Sequence, residues 1–193
     1  GERILQSSER MLNTITKLLS LNALEQGGKT LETRRFNVAR LVQNLAEEHH
    51  AHAAAKDITI LVEVSDDNIE LKTDESAMAE VVENLLDNAL KYSPKGKRVW
   101  VSVQKNISAD GGKATFVRIA VRDEGPGLND EDKTRMFGKF ARLSAKPTGG
   151  EDSTGLGLSI VKKLVDAMGA EIMVESEYGQ GTTFNVDVPM GVE

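Results

Sequence analysis

NLLDNALKYS, running from Asn84 to Ser93, closes a stretch that begins near Ser76 and repeats with a helical period. Met78, Val82, Leu85, Leu86 and Ala89 fall on one face, and Glu80, Asn84, Asp87, Asn88 and Lys91 on the other, spaced three and four apart. Asn84 and Asn88 are one turn apart, so their amides point the same way. Asparagine is a poor helix former, and two of them in register at mid-helix call for a reason beyond solubility. An amide oxygen is a neutral hard ligand, suited to a Mg²⁺ ion that already carries phosphate charge. Lys91 adds a cation one turn further on. The competing reading is a solvated polar face.

Two further cassettes follow in order. The alternating strand Val117 to Val121 runs into DEGPG, Asp123 to Gly127. A carboxylate at a strand end can accept from the exocyclic amine of adenine, and glycines allow a tight turn against a ring. A plain surface turn is the alternative, since Asp, Gly and Pro all favour turns. A calcium loop fails on spacing, because Gly125 stands where a second Asp or Asn ligand is required. The third cassette is STGLGLSIVKKL, Ser153 to Leu164. Gly155 and Gly157 let phosphate approach free backbone N–H groups at the start of a helix, where the dipole favours an anion. Ser153 and Thr154 add hydroxyls, and the alternative is a flexible loop leading into a core helix. A dinucleotide fingerprint is excluded because its third glycine would fall at Ile160, and a Walker loop because Ala23 stands where the first glycine before Gly28-Lys29-Thr30 should be. Amides with a lysine, a carboxylate in a glycine turn and a glycine loop entering a helix are together what an adenine nucleotide with its metal needs.

The rest of the chain supplies a scaffold. Residues 2–25 read as one helix in which Leu5, Leu12 and Leu19 recur every seven residues beside Ile4, Met11 and Leu18, a stripe for a partner helix from another chain; Gly27-Gly28 would end it. Extended segments are expected at Arg34 to Phe36, Ile58 to Val64, Leu71-Lys72 and Val99 to Val103. A polar loop holding Asp110-Gly111-Gly112 joins the last of these to Val117–Val121, and a hairpin of Glu171 to Glu175 and Thr183 to Val188 turns around Gly179 and Gly181. Helices are expected from Val38, capped by Asn37, to about Ala55, from Thr73 or Asp74 to Tyr92, from Asp130 to Phe140, and from Gly155 to Met168 with Gly169 as C-cap. Ala141 to Ser153, poor in hydrophobic residues, reads as a mobile loop. Without a regular βαβ beat, the pattern predicts an α/β, two-layer sandwich: a mixed sheet backed by helices and preceded by a long amphipathic helix.

With 193 residues, 39% hydrophobic and 28% charged, the chain can bury a full core plus an appendage. A formal charge of −6 disfavours nucleic acid as a partner. The absence of cysteine removes disulfides and thiolate chemistry and fits a reducing compartment. No apolar run approaches the roughly 20 residues of a membrane span. His49, His50 and His52 lack metalloprotease spacing and are expected at an exposed helix end.

On these residues the chain resembles the catalytic, ATP-binding half of two-component sensor histidine kinases, in the superfamily shared with gyrase-type topoisomerases, MutL and heat-shock chaperones. The resemblance divides the chain into residues 1–27, similar to the second helix of a dimerisation and phosphotransfer hairpin, and residues 33–191, similar to the ATP-binding domain. It places Asn84, Asn88, Lys91 and Tyr92 at the nucleotide, with Asn88 as the Mg²⁺ ligand. It sets Asp123 on the adenine amine, beside Gly125 and Gly127. Phe137 to Arg142 match a further box, with Arg142 reaching the phosphates. Ser153, Thr154, Gly155, Leu156, Gly157 and Leu158 match the second glycine box, and Gly179, Gly181 and Thr182 the last, with Thr182 near adenine. The segment from about Ala141 to Thr154 would be the ATP lid.

The superfamily's hydrolases carry a glutamate one turn before the metal asparagine. Here that place holds Asn84, and an amide is a poor general base, which favours a kinase over an ATPase. Asn84, Lys91 and Arg142 are the expected catalytic set. The resemblance further implies ATP and Mg²⁺ as cofactors, a cytoplasmic location for this segment, a homodimeric parent and a response-regulator receiver domain as partner. The chain departs from the family pattern at Ser153, which replaces a glycine, and in lacking the hairpin's first helix with its phosphoacceptor histidine; none of the three histidines fits that role. A protein serine kinase of the same fold and a non-catalytic nucleotide-sensing or dimerisation module are the competing functions.

Overall fold

The computed structural model describes residues 2–25, 30–107, 114–151 and 153–190. The expected helix stop at Gly27-Gly28 and the Asp110-Gly111-Gly112 loop lie outside the described residues, as do the side chains of Ile4 and Leu5. Five strands form one mixed sheet: β2 (Thr59–Val64), β4 (Arg98–Ile107), β5 (Ala114–Asp123), β7 (Gly181–Pro189) and β6 (Glu171–Glu177), in that spatial order. β2 runs parallel to β4, and the other pairs are antiparallel. β1 (Thr33–Asn37) and β3 (Glu70–Asp74) pair separately as a two-stranded ribbon.

Alternation sets the faces. Val99, Val101 and Val103 of β4 and Val117, Ile119 and Val121 of β5 are all buried and point to one side. α2 (Val38–Glu48), α4 (Glu75–Tyr92) and α6 (Gly157–Ala167) bring Val38, Val42, Met78, Val82, Leu86, Ile160 and Leu164 into the same core. The two-layer α/β sandwich is therefore observed. On the other face of the sheet, two guanidinium groups lie over the Trp100 ring, Arg98 at 4.9 Å and Arg122 at 4.8 Å from its centroid.

Local capping explains most boundaries. Asn37 accepts the N–H of Arg40 and starts α2, and Asp74 accepts the N–H of Ala77 and starts α4. The helix expected from Val38 to Ala55 is broken instead. The His49 ring bonds the carbonyl of Leu45 one turn back, and the chain restarts as α3 (His50–Ala55). The helix expected to reach Phe140 stops at Arg135, as α5 (Asp130–Arg135); downstream, Phe140 takes up left-handed backbone, φ 55°.

α1 (Glu2–Glu25) differs from its expected role in one respect. Leu21, outside the heptad stripe, is 1% exposed and joins the core, with Leu18 and Leu24 packed beside it. The last turns of α1 therefore dock on the chain's own domain, against α6. Met11, Leu12, Ile15 and Leu19 remain exposed.

Candidate functional site

α4, the end of β5 and the start of α6 converge on one cleft. Its wider part is lined by Asn84, Asp87, Asn88, Lys91 and Tyr92 from α4, by Ser153, Thr154, Gly155, Gly157 and Leu158, and by Leu143 and Glu151 of the preceding loop. A narrower, more apolar part is lined by Asp123, Pro126, Gly127, Leu128, Thr182, Phe184, Leu143 and Ala145. Asn88, Tyr92, Leu143 and Leu158 line both, so the two parts form one continuous cleft.

At the narrow end, Asp123 is buried. Its carboxylate accepts the N–H of Gly125 at 2.8 Å and the backbone N–H of Thr182, its cross-strand partner. Burial outweighs these hydrogen bonds and pushes its pKa up to about 6. Around it are Leu128, Leu158 and Phe184, a setting for a flat apolar ring with one polar edge. The turn closes tightly here. A side chain at Gly181 (φ 91°) would begin 2.1 Å from the carbonyl oxygen of Asp123, so no other residue fits.

The wide end is built from amides. The Nδ2 of Asn84 donates to the carbonyl of Glu80 at 2.7 Å, which leaves its Oδ1 turned toward Gly157; a Cβ placed there would lie 3.2 Å from that oxygen and 3.9 Å from Nδ2 of Asn88. The first turn of α6 thus rests on both asparagines. Among the described residues no side-chain cap forms at its N-cap, Leu156, which suits the leading N–H groups to an anion in the cleft. Gly155 (φ 67°) is pressed against the Phe140–Ala141 backbone: a Cβ would meet the carbonyl oxygen of Ala141 at 2.8 Å. Its glycine character serves loop packing as much as ligand access. Ser153 Oγ lies 3.1 Å from the phenolic oxygen of Tyr92, a contact that a glycine there could not make.

Of the residues singled out in the sequence, the three cassettes do come together, although Gly125 and the fully buried Leu156 line neither part of the cleft. Arg142 does not join them: it is exposed, just before Leu143, and lines neither part of the cleft. His52, from the expected exposed helix end, does line the wide part. His50 and His52 are exposed as expected, whereas His49 is half-buried. Its Nδ1 lies 2.8 Å from the Leu45 carbonyl and its Nε2 3.3 Å from Asp87, whose carboxylate raises the imidazole pKa. Sequence reading also missed Lys56, Asp132, Leu143, Ser144 and Glu151, which shape or anchor the loop over the cleft; isolated lysines, acids and serines carry no periodic signal.

The donor set suits a metal that arrives with its ligand. No group of three His, Asp or Glu side chains able to hold a metal occurs among the described residues. The neutral amides at Asn84 and Asn88, beside an uncapped helix start, match a Mg²⁺ ion that keeps its waters and is bound through phosphate.

These features define a class. The chain belongs to the histidine kinase-, DNA gyrase B- and HSP90-like ATPase family, whose pattern matches residues 73–192. It is 30% identical over 95% of its length to the autoinducer 2 sensor kinase/phosphatase LuxQ of Vibrio parahaemolyticus, covering 21% of that protein. It is 28% identical over 94% of its length to the sensor histidine kinase WalK of Bacillus subtilis, covering 29% of it. Among solved structures, full-length ShkA in complex with AMPPNP aligns with a TM-score of 0.83 and 26% identity, over 97% of this chain and 37% of that one. The resemblance seen in the three cassettes is borne out. The chain spans only about a fifth of LuxQ and 15% of the Escherichia coli sensor protein EvgS, which it also matches.

Proposed function

We propose that this chain is the ATP-handling core of a two-component sensor histidine kinase, passing the γ-phosphoryl of Mg-ATP to a histidine outside this sequence. The observation that carries the reading is the two-ended cleft: a buried carboxylate in an apolar slot at one end, and amides, a lysine and an uncapped helix start at the other, joined through Asn88, Tyr92, Leu143 and Leu158.

Adenine enters the narrow end and gives its amine hydrogen to Asp123, with Thr182 and Gly125 at the ring. The triphosphate extends toward Ser153, Thr154, Gly155, Leu156 and Gly157, where N–H groups and the helix dipole meet its charge. Asn88 would hold Mg²⁺, with Asn84 behind it; the ion, when bound, neutralises charge that develops on the transferring phosphoryl. Lys91 supplies a fixed cation, and Arg142 a second once the loop carrying it turns inward. No carboxylate stands one turn before Asn88 to activate water, so hydrolysis is slow and the phosphoryl is kept for its acceptor. α1 serves as the second helix of a dimerisation hairpin, its exposed Met11, Leu12, Ile15 and Leu19 supporting that use. In the parent, a homodimer in which this segment lies in the cytoplasm, the phosphoryl passes on to the receiver domain of a response regulator.

The test is transfer in trans. The chain is mixed with γ-labelled Mg-ATP and a separately made histidine-bearing hairpin of a sensor kinase. Label that appears on the hairpin and is lost in acid supports the reading. Acid-stable label indicates a serine kinase, and tight ATP binding with no transfer to any acceptor hairpin indicates a nucleotide-sensing module.

A further inference from the structure

The loop from Ala141 to Ser153 is tied down at two places. Near its start, the backbone N–H of Ser144 donates to both oxygens of the Asp132 carboxylate at 3.1 Å, and its hydroxyl donates to the same group. Asp132 has no exposed surface, and Arg135 pairs with it as well. At the far end the tie is Lys56, in the turn between α3 and β2. Its ammonium donates to the carbonyl of Leu90 at 2.6 Å and of Lys91 at 3.2 Å, to Oγ1 of Thr148 at 2.8 Å, and to the carboxylate of Glu151 at 2.9 Å. Thr148 adds its own bonds, N–H to the Lys91 carbonyl at 3.0 Å and hydroxyl to that of Ser93 at 2.6 Å.

Lys56 thus sits where it can do two jobs. The last carbonyls of α4 have no amide partners further along the helix and carry the negative end of its dipole, so a cation is favoured there. The same ammonium then reaches across to the loop. Its side chain is only 12% exposed. Leu143 and Ala145, on either side of the first tie, line the narrow part of the cleft, while Glu151, at the second, lines the wide part. The loop cannot swing away from the cleft until one tie lets go.

We infer that Lys56 is a positioning residue that latches the far end of this lid onto the C-terminal end of α4, and that this latch, rather than the Asp132–Ser144 tie, opens to admit nucleotide. The inference rests on the nucleotide reading of the cleft. Opening the Asp132 tie would take the Ser144 hydrogen bonds from a carboxylate with no exposed surface, whereas the Glu151 carboxylate, 26% exposed, is open to water that can replace Lys56 as its partner. A triphosphate entering the wide part also brings like charge toward Glu151 and competes for the charge of Lys56, so the ligand itself works against the latch.

Residue-resolved amide exchange by NMR on the ligand-free chain tests the latch directly, with Lys56→Met and Glu151→Gln as variants. Glu151→Gln is needed because Lys56→Met also removes a helix cap, whereas the Glu151 carboxylate accepts from Lys56 and from the Gly149 N–H within the loop. The Thr148 amide should exchange about tenfold faster in both variants, as expected for loss of a charged hydrogen bond, while the Ser144 amide keeps its wild-type rate. Stopped-flow binding of a fluorescent ATP analogue should then show a faster association rate in both variants. Thr148 exchange unchanged in both variants, or Ser144 accelerating as much as Thr148, overturns the latch. Should exchange respond as stated while the analogue binds neither wild type nor variants, the lid is latched as inferred and the nucleotide reading is what fails.

Discussion

The carboxylate of Asp123 accepts the N–H of Gly125 at 2.8 Å while only 8% of the residue is exposed. A charged group held by hydrogen bonds yet pushed up to about pKa 6 is a carboxylate whose site is unfavourable for its charge until a ligand donor arrives. With the folded pKa above the unfolded one, its contribution to stability is fully present below about pH 4 and is lost as pH rises through about 6, for a total of up to about 3 kcal/mol. Asp123→Asn removes that titration. The stability of wild type relative to the variant should therefore fall between pH 4 and 6.5 and be flat above, measured by denaturant unfolding with Trp100, the single tryptophan, as the probe. A constant difference over that range would refute the buried-acid assignment.

The ionised carboxylate is the stronger acceptor for the adenine amine. Affinity for adenosine, which carries no titrating phosphate, should fall as pH drops through about 6 in wild type. Asp123→Asn should lower it at pH 7.5 by tenfold or more, the scale of about 1.5–3 kcal/mol for a charged hydrogen bond. Calorimetry at several pH values reads both effects.

Gly155 packs against backbone, so a methyl group there costs stability before it affects any ligand. An alanine at φ 67° meets the left-handed penalty of about 1–2 kcal/mol, and its Cβ would press on Phe140 and Ala141 as well. Gly155→Ala should lose about 2 kcal/mol or more. Ser153→Gly, by contrast, gives up one exposed contact to Tyr92 and should stay within about 1 kcal/mol of wild type with ATP binding intact. Thermal unfolding of the two variants side by side distinguishes a packing glycine from a replaceable one.

Where the sequence could be read, a period or a short local signal made it legible. The amides of Asn84 and Asn88 share a helix face because they are four apart, and Asp123 and Gly125 are bound within one turn. Asn37 and Asp74 announced their helices as caps. What stayed hidden joins distant residues: Lys56 reaches Thr148 and Glu151 across 92 and 95 positions, and the fully buried Asp132 looks in sequence like any acid in a charged helix start. Leu21 escaped for another reason. A heptad stripe describes contacts along a straight partner, whereas the end of α1 turns its leucine onto α6 of its own domain. Leu21→Ala should cost about 2–5 kcal/mol, and Leu19→Ala, exposed on the opposite side, almost nothing in the isolated chain.

The two ends of the cleft should respond to different parts of the ligand. Asp123 lies in the narrow part and Lys91 in the wide part, and neither lines both. Asp123→Asn should therefore weaken adenosine and ATP by a similar factor, since each loses one contact to the ring. Lys91→Met should leave adenosine unaffected and weaken ATP by tenfold or more, as expected when a cation is removed from beside a triphosphate, with the loss shrinking as salt is raised. Competition binding with both ligands at low and high ionic strength measures all four combinations. If Lys91→Met weakened adenosine as much as ATP, the lysine would be supporting the fold of α4 rather than meeting phosphate, and the assignment of the wide end would be wrong.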